Sequence, residues 1–287
     1  MEIQSLGRGD PTVAPNCDLT AELERVGLVR VPCRSFSLRS DELGLLDIKA
    51  ASGGLKSISY DPSSGRLEGW PAAAAAQAAL ATSMLGRFSA WATAIVRDLA
   101  PRYAPRLEVA RASFRPRSFE RKPLGWRADD RRLHVDAFPS RPSGGRRILR
   151  LFVNIDPERP RVWDVGEDFR RYAERFLPSA RLSPPGLPLL LAALGFTKPR
   201  RTAYDQLMLE LHDLAKRDDA YQRSGRVRRE AFAPGEVWVA FTDQLPHALA
   251  EGRLALEQTF HLPVSAQLEE SSSPLRILES VTGRRLA

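Results

Sequence analysis

Leu133-His134-Val135-Asp136-Ala137-Phe138 is the stretch on which the reading of this chain turns. Its imidazole and its carboxylate stand two residues apart. On a strand, residues i and i+2 point to the same face, so His134 and Asp136 are expected to project together into whatever that face encloses. A second histidine would complete a facial triad of two His and one carboxylate. Such a triad leaves coordination positions open and marks non-haem Fe(II) oxygenases. Closed Cys-containing sites are excluded, because the two cysteines, Cys17 and Cys33, lie near the N-terminus without metal-ligand spacing. They read as free thiols of a reducing compartment.

The chain has four histidines. His247 follows ValTrpValAlaPheThr (237–242), which is preceded by Pro234-Gly235, and it is followed by GluGlyArg (251–253) and a further strand at 254–262. Strand, histidine, short turn, strand is the setting of a distal ligand in a double-stranded β-helix. His261, near the end of that last strand, and His212, on a long helix, are alternative ligands. Their plainer readings are a strand-end and a helix-edge histidine.

Outward from this stretch, short strands are expected at 107–114, 147–155, 237–242 and 254–262. Helices are expected at 19–26, at 72–99 where alanine dominates and no proline intervenes before Pro101, at 167–177 and at 204–221. In the last of these, Tyr204, Leu207, Met208, Leu211 and Ala215 fall on one face. Short strands at 27–31 and 55–60 precede the long helix. The pattern predicts one α+β domain over 1–287, with a double-stranded β-helix (jelly roll, cupin-like) core and outer helices. Its parts are an N-terminal extension (1–60), a strand and long helix (61–106), the core (107–265) with a helical insertion (156–232), and a C-terminal segment (266–287).

An iron in such a triad needs a two-electron donor, and 2-oxoglutarate supplies one by binding the metal through its keto acid end. Its far carboxylate then needs a buried cation, because an unpaired buried carboxylate is costly and Arg pairs with it bidentately. Arg150, among apolar neighbours on the strand at 147–155, is the preferred candidate. Arg253, six residues after His247, is the alternative.

With 287 residues, 43% of them hydrophobic, the chain can bury one sizeable core. Its net charge is +8, and residues 111–150 alone hold twelve Arg or Lys against four Asp or Glu, an excess equal to the whole. That segment suits a polyanion: nucleic acid, a phosphorylated sugar or an anionic lipid surface. No nucleic-acid-binding module is visible. The first twenty residues lack an apolar signal region, and the apolar run 187–196, broken by Pro188 and Gly195, is too short to span a bilayer. A soluble, cytoplasmic protein able to touch a membrane surface is the expectation.

Several longer blocks resemble one family. They are TrpArgAlaAspAspArgArgLeuHisValAspAlaPheProSerArgProSerGlyGlyArgArgIleLeuArg (126–150), TyrAspGlnLeuMetLeuGluLeuHisAsp (204–213), PheThrAspGlnLeuProHisAla (241–248) and GluGlnThrPheHisLeuPro (257–263), with SerProLeuArg from Ser273 and ThrGlyArgArg from Thr282. These resemble the bacterial Kdo hydroxylases from about residue 60 to the end. The resemblance implies Fe(II)-, 2-oxoglutarate- and O2-dependent hydroxylation at carbon three of 3-deoxy-D-manno-oct-2-ulosonic acid (Kdo), on a Kdo–lipid A glycolipid. The product implied is D-glycero-D-talo-oct-2-ulosonic acid in the lipopolysaccharide inner core. It carries the iron ligands onto His134, Asp136 and His247, and places the protein at the cytoplasmic face of the inner membrane, with no obligate protein partner. Arg127, Arg132 and Arg147, beside the metal stretch, become candidates for holding an anionic substrate and the anionic leaflet. Two other readings stand beside it. One is a 2-oxoglutarate dioxygenase of another small molecule or a protein side chain; the other is a cupin-like carbohydrate or lipid binder without turnover.

Overall fold

The computed structural model describes residues 18–47, 58–116, 125–181 and 201–287. The apolar run 187–196, Cys17 and the start of the strand expected at 55–60 lie outside them. Ten strands form two antiparallel sheets. In chain order they are β1 (Leu28–Val31), β2 (Ile58–Asp61), β3 (Arg66–Glu68), β4 (Glu108–Arg115), β5 (Arg147–Asn154), β6 (Arg161–Val165), β7 (Arg228–Phe232), β8 (Val237–Phe241), β9 (His247–Glu251) and β10 (Ala255–Leu262). The larger sheet runs β1-β8-β5-β10-β4-β2-β3 and the smaller β7-β6-β9. The sheets face each other as an open jelly roll. Phe152, Trp163, Phe232, Trp238 and Leu249 fill the space between them, with Phe232 and Trp238 stacked at 3.8 Å.

The outer face of the larger sheet packs on α2 (Ala78–Leu99). This helix follows a 3-10 turn over Ala72–Gln77, so only its N-terminal end departs from the expected 72–99. Ala81, Met84, Leu85, Phe88, Ala92, Ile95 and Val96 recur at helical spacing and are buried. They meet Leu149, Leu151 and Val153 of β5 and Leu256, Phe260 and Leu262 of β10. Burying each of the larger side chains contributes about 1.5–3 kcal/mol. A second core joins α3 (Phe169–Phe176), α4 (Ala203–Arg217) and α6 (Pro274–Thr282) to Leu133 and Val135.

Two expectations need correcting. The helix expected at 204–221 is two helices, α4 and α5 (Asp219–Ser224). Asp218 breaks it because its extended backbone lets the side chain cap α5, accepting from the amides of Ala220 and Tyr221. The stretch 156–232 is not wholly helical either, since β6 and β7 lie within it. β7 is an edge strand whose first four residues are mostly exposed, so it carries no apolar alternation for a sequence reading to detect.

Candidate metal centre

The metal stretch lies outside the regular strands. It is extended and held by a single antiparallel bridge: His134 N donates to His247 O (3.1 Å) and His247 N to His134 O (2.9 Å). Asp136 N then donates to Thr242 O (2.8 Å). On its other side, the Gln222 side chain stands in for a neighbouring strand. Its Oε1 accepts from Leu133 N (2.7 Å) and its Nε2 donates to Leu133 O (3.1 Å). The alternation expected of a strand therefore survives without one. Leu133 and Val135 are buried among the helices, and His134 and Asp136 line a cavity of about 650 Å³ on the opposite side.

One ligand atom from each of His134, Asp136 and His247 lies within 4.8 Å of the others. The Nδ1 atoms of His134 and His247 sit 2.7 Å from Arg132 O and 2.8 Å from Leu245 O. A carbonyl can only accept, so each Nδ1 carries the proton and each Nε2 keeps a free lone pair, as a metal ligand requires. Trp163 stacks on the His247 ring at 4.9 Å and 21°. Burial, reinforced at His134 by His247 and Lys216, holds both imidazoles below their ordinary pKa. Burial alone would raise Asp136, but the Arg150 guanidinium 3.2 Å away outweighs it, and the carboxyl titrates well below the usual range. Asp136 Oδ2 is buried without a hydrogen-bond partner. Two neutral nitrogens, one carboxylate and open space beyond them fit a divalent first-row metal with vacant positions.

Around this cluster the cavity is strongly ionic. Arg115 grips Glu257 through Nε and Nη2 (2.9 and 3.2 Å) and reaches Asp130 through Nη1 (3.2 Å). Arg150 lies 3.7 Å from the same Glu257. Burial works against the Glu257 carboxylate, and the two arginines still bring it below its ordinary pKa. Arg161 differs. It is buried and donates to Arg253 O (3.3 Å), its Nε is unpartnered, and among the described residues no carboxylate lies within ion-pair distance. Burial and the nearby Arg115 push its pKa down to about 9. Gly252 permits this fit: at φ +110° it has no Cβ, and one would stand 2.9 Å from Arg161 Cα.

Of the residues expected from sequence, Arg127 and Arg150 line the cavity. Three do not. Arg253 lies outside the cavity, its guanidinium held by Asp156 and, at 3.7 Å, Glu158. Arg147 is fully buried between Asp243 and Gln244 with its guanidinium 3.9 Å over the Phe241 ring, so no substrate can meet it. Arg132 is taken up by Asp219 and Lys216 O. His261 does not line the cavity, whereas His212 does. Sequence reasoning missed Arg115, Arg161, Trp163, Lys216 and Glu257, which also line it. The available signal was a charge inside an apolar strand, as in ArgValTrpAspVal of β6.

A family model described as 3-deoxy-D-manno-oct-2-ulosonic acid (Kdo) hydroxylase matches residues 9–285. The chain belongs to the Kdo hydroxylase family. Among solved structures, it is similar to the Kdo hydroxylase KdoO, a non-heme Fe(II) alphaketoglutarate dependent dioxygenase, in complex with alphaketoglutarate and Fe(III), at 40% identity over 93% of this chain and 90% of that one, with TM-score 0.85. It matches the cobalt(II) complex of KdoO at 40% identity, over 95% of this chain and 94% of that one, with TM-score 0.85. The complex with succinate and Fe(III) matches at 39% identity over the same shares, with TM-score 0.83. A search of curated proteins finds no match. Within the Kdo hydroxylase family the jelly roll and the inward-facing cluster of two histidines and a carboxylate have a ready chemical sense.

Proposed function

We propose that this chain is an Fe(II)- and 2-oxoglutarate-dependent hydroxylase of Kdo, with His134, Asp136 and His247 as the iron ligands. The observation that carries the reading is the pair of imidazoles with protons fixed on Nδ1 beside a charged carboxylate, at one end of an ionic cavity. Iron bound there with 2-oxoglutarate supplies the oxygen activation and C–H cleavage that no side chain can perform. The protein's residues supply the rest. Arg132 O and Leu245 O fix the ring tautomers, Trp163 holds the plane of His247, and Arg150 keeps Asp136 ionised at every working pH.

For the distal carboxylate of 2-oxoglutarate the geometry favours Arg161 over the sequence-preferred Arg150, whose guanidinium already faces Asp136 and Glu257. Arg161 stands two residues before Trp163 on the same face of β6, roughly 6.6 Å along the strand. That offset from the metal end suits a five-carbon dicarboxylate. Arg253, paired with Asp156 outside the cavity, is not offered for this role.

The finer substrate reading is Kdo attached to lipid A, hydroxylated at carbon three by a protein resting on the cytoplasmic face of the inner membrane. The net charge of +8 supports it, because a cationic protein is drawn to lipid A phosphates and an anionic leaflet; within 111–150, Arg115, Arg132, Arg147 and Arg150 are already paired inside the fold and do not add to that attraction. Among the described residues no helix is long and apolar enough to cross a membrane, so attachment would be to the surface. The test is incubation of Kdo–lipid A with the protein, iron, 2-oxoglutarate and oxygen, read by mass spectrometry. A Kdo heavier by one oxygen, with all three components required, is the expected result. Turnover of 2-oxoglutarate that is indifferent to Kdo would move the substrate elsewhere, and activity on vesicles that does not fall with salt would remove the surface attraction.

A further inference from the structure

Helix α4 presents two stripes. Tyr204, Leu207, Met208, Leu211 and Ala215 are buried in the helical core. Leu209, His212, Asp213 and Lys216 line the cavity. A polar stripe turned inward to a cavity, at the end of the family block 204–213, has no role in the iron reading above.

His212 is the member of that stripe whose ring touches a residue of the metal cluster. Its ring meets the His134 ring edge-on, with centroids 5.3 Å apart. It is not one of the residues whose ligand atoms gather within 4.8 Å. His212 Nδ1 lies 3.1 Å from Asp213 Oδ1, and Asp213 Oδ2 accepts from Nε and Nη2 of Arg127 at 3.0 and 2.7 Å. Burial works against the Asp213 carboxylate, yet His212 and Arg127 bring its pKa down to about 2. An ionised carboxylate cannot donate, so the proton between the two residues belongs to His212 Nδ1. This leaves Nε2 for a ligand, and among the described residues no hydrogen bond occupies it.

We infer that His212, held in this orientation by Asp213 and Arg127, hydrogen-bonds a hydroxyl of the bound sugar through Nε2 and thereby sets which C–H faces the iron. A sugar acid offers hydroxyls next to its reacting carbon, and one fixed hydrogen-bonding nitrogen beside a metal ligand orients the ring more tightly than a charged contact at the mouth. The inference deepens the Kdo reading and rests on it. His212 is a specificity residue, outside the metal's coordination, so its loss should leave the iron and the co-substrate in place.

The test compares His212→Asn with His212→Gln, because a glutamine amide reaches where Nε2 was and an asparagine amide does not. Binding of Kdo monosaccharide to the iron-free protein is followed by tryptophan fluorescence, since Trp163 lines the cavity. His212→Asn should weaken it about tenfold, the worth of one hydrogen bond, and His212→Gln should recover part of that. In the iron-loaded enzyme, His212→Asn should raise the KM for Kdo and the succinate formed per hydroxylated product, with iron content and the KM for 2-oxoglutarate unchanged. Wild-type Kdo affinity and coupling in His212→Asn would overturn the inference alone. Loss of iron in that variant would overturn it by making His212 a ligand. Absence of Kdo hydroxylation by the wild type would remove the functional reading and this inference with it.

Discussion

Strand β5 has two faces that obey different rules. Leu149, Leu151 and Val153 look outward onto α2, in an apolar core with Phe88 and Val96. Arg150 and Phe152 look inward, where Arg150 meets Asp136 and Glu257. All eight residues of the strand are buried, so burial alone does not distinguish the faces. The outer face is stabilised by removing apolar area from water. On the inner face, charge is retained in a buried setting, and the desolvation cost is offset by close opposite charge. The lesson is that one face carries the stability and the other was left polar for chemistry.

The largest effects should separate these two roles cleanly. His134→Ala, Asp136→Ala and His247→Ala should each lose bound iron and all turnover while melting cooperatively; iron retained by any of them would remove that residue from the ligand set. Leu151→Ala, on the outer face of β5, should cost about 2–5 kcal/mol of stability, as a buried leucine truncation does. Denaturant unfolding measures it, and the iron content of the folded fraction should stay full. A Leu151→Ala protein of normal stability but no iron would break the division between the faces.

Arg161→Ala should weaken 2-oxoglutarate binding by about 2–5 kcal/mol, the cost of truncating one partner of a buried charge pair. Arg253→Ala, which removes a pair with Asp156 outside the cavity, should leave it unchanged. Co-substrate titration decides, and a larger effect in Arg150→Ala than in Arg161→Ala would return the distal carboxylate to β5.

The smallest effect concerns pH. His134, His247 and His261 all have folded pKa values below the ordinary 6.5 because burial disfavours their charged forms. The unfolded chain therefore takes up protons that the folded one refuses. Stability of the iron-free protein should be full above about pH 6.5 and decline as the pH falls from there towards the folded values. Urea midpoints of the iron-free protein across that range check it, and a midpoint that rises on acidification would contradict the buried, neutral state of these rings.

What the sequence disclosed follows the same division. The outer apolar faces of α2, β5, β8 and β10 were legible because periodicity reports burial against a core. The convergence of His134, Asp136 and His247 was legible because few residue types can hold a metal and the chain has four histidines. The partners of the arginines were not. Arg147 and Arg150 look alike in sequence, yet β5 turns one toward Asp243 and the other into the cavity. Arg253 seemed a clamp until its partner, Asp156, was visible nearly a hundred residues away. His212 read as a helix-edge residue because a helix wheel does not reveal that the edge borders a cavity. Partners distant in sequence decide what a charge does, and local pattern does not contain them.

If the inner face holds iron and 2-oxoglutarate together, with His134, Asp136 and His247 as ligands, the keto acid must chelate the metal there. Anaerobic addition of 2-oxoglutarate to the Fe(II)-loaded protein tests it most directly, through the visible charge-transfer absorption that arises when the keto acid chelates the metal. The band should arise at one equivalent of iron per chain in the wild type and be absent in Asp136→Ala. A wild-type protein that binds iron and gives no band, or an Asp136→Ala protein that gives the full band, would contradict it.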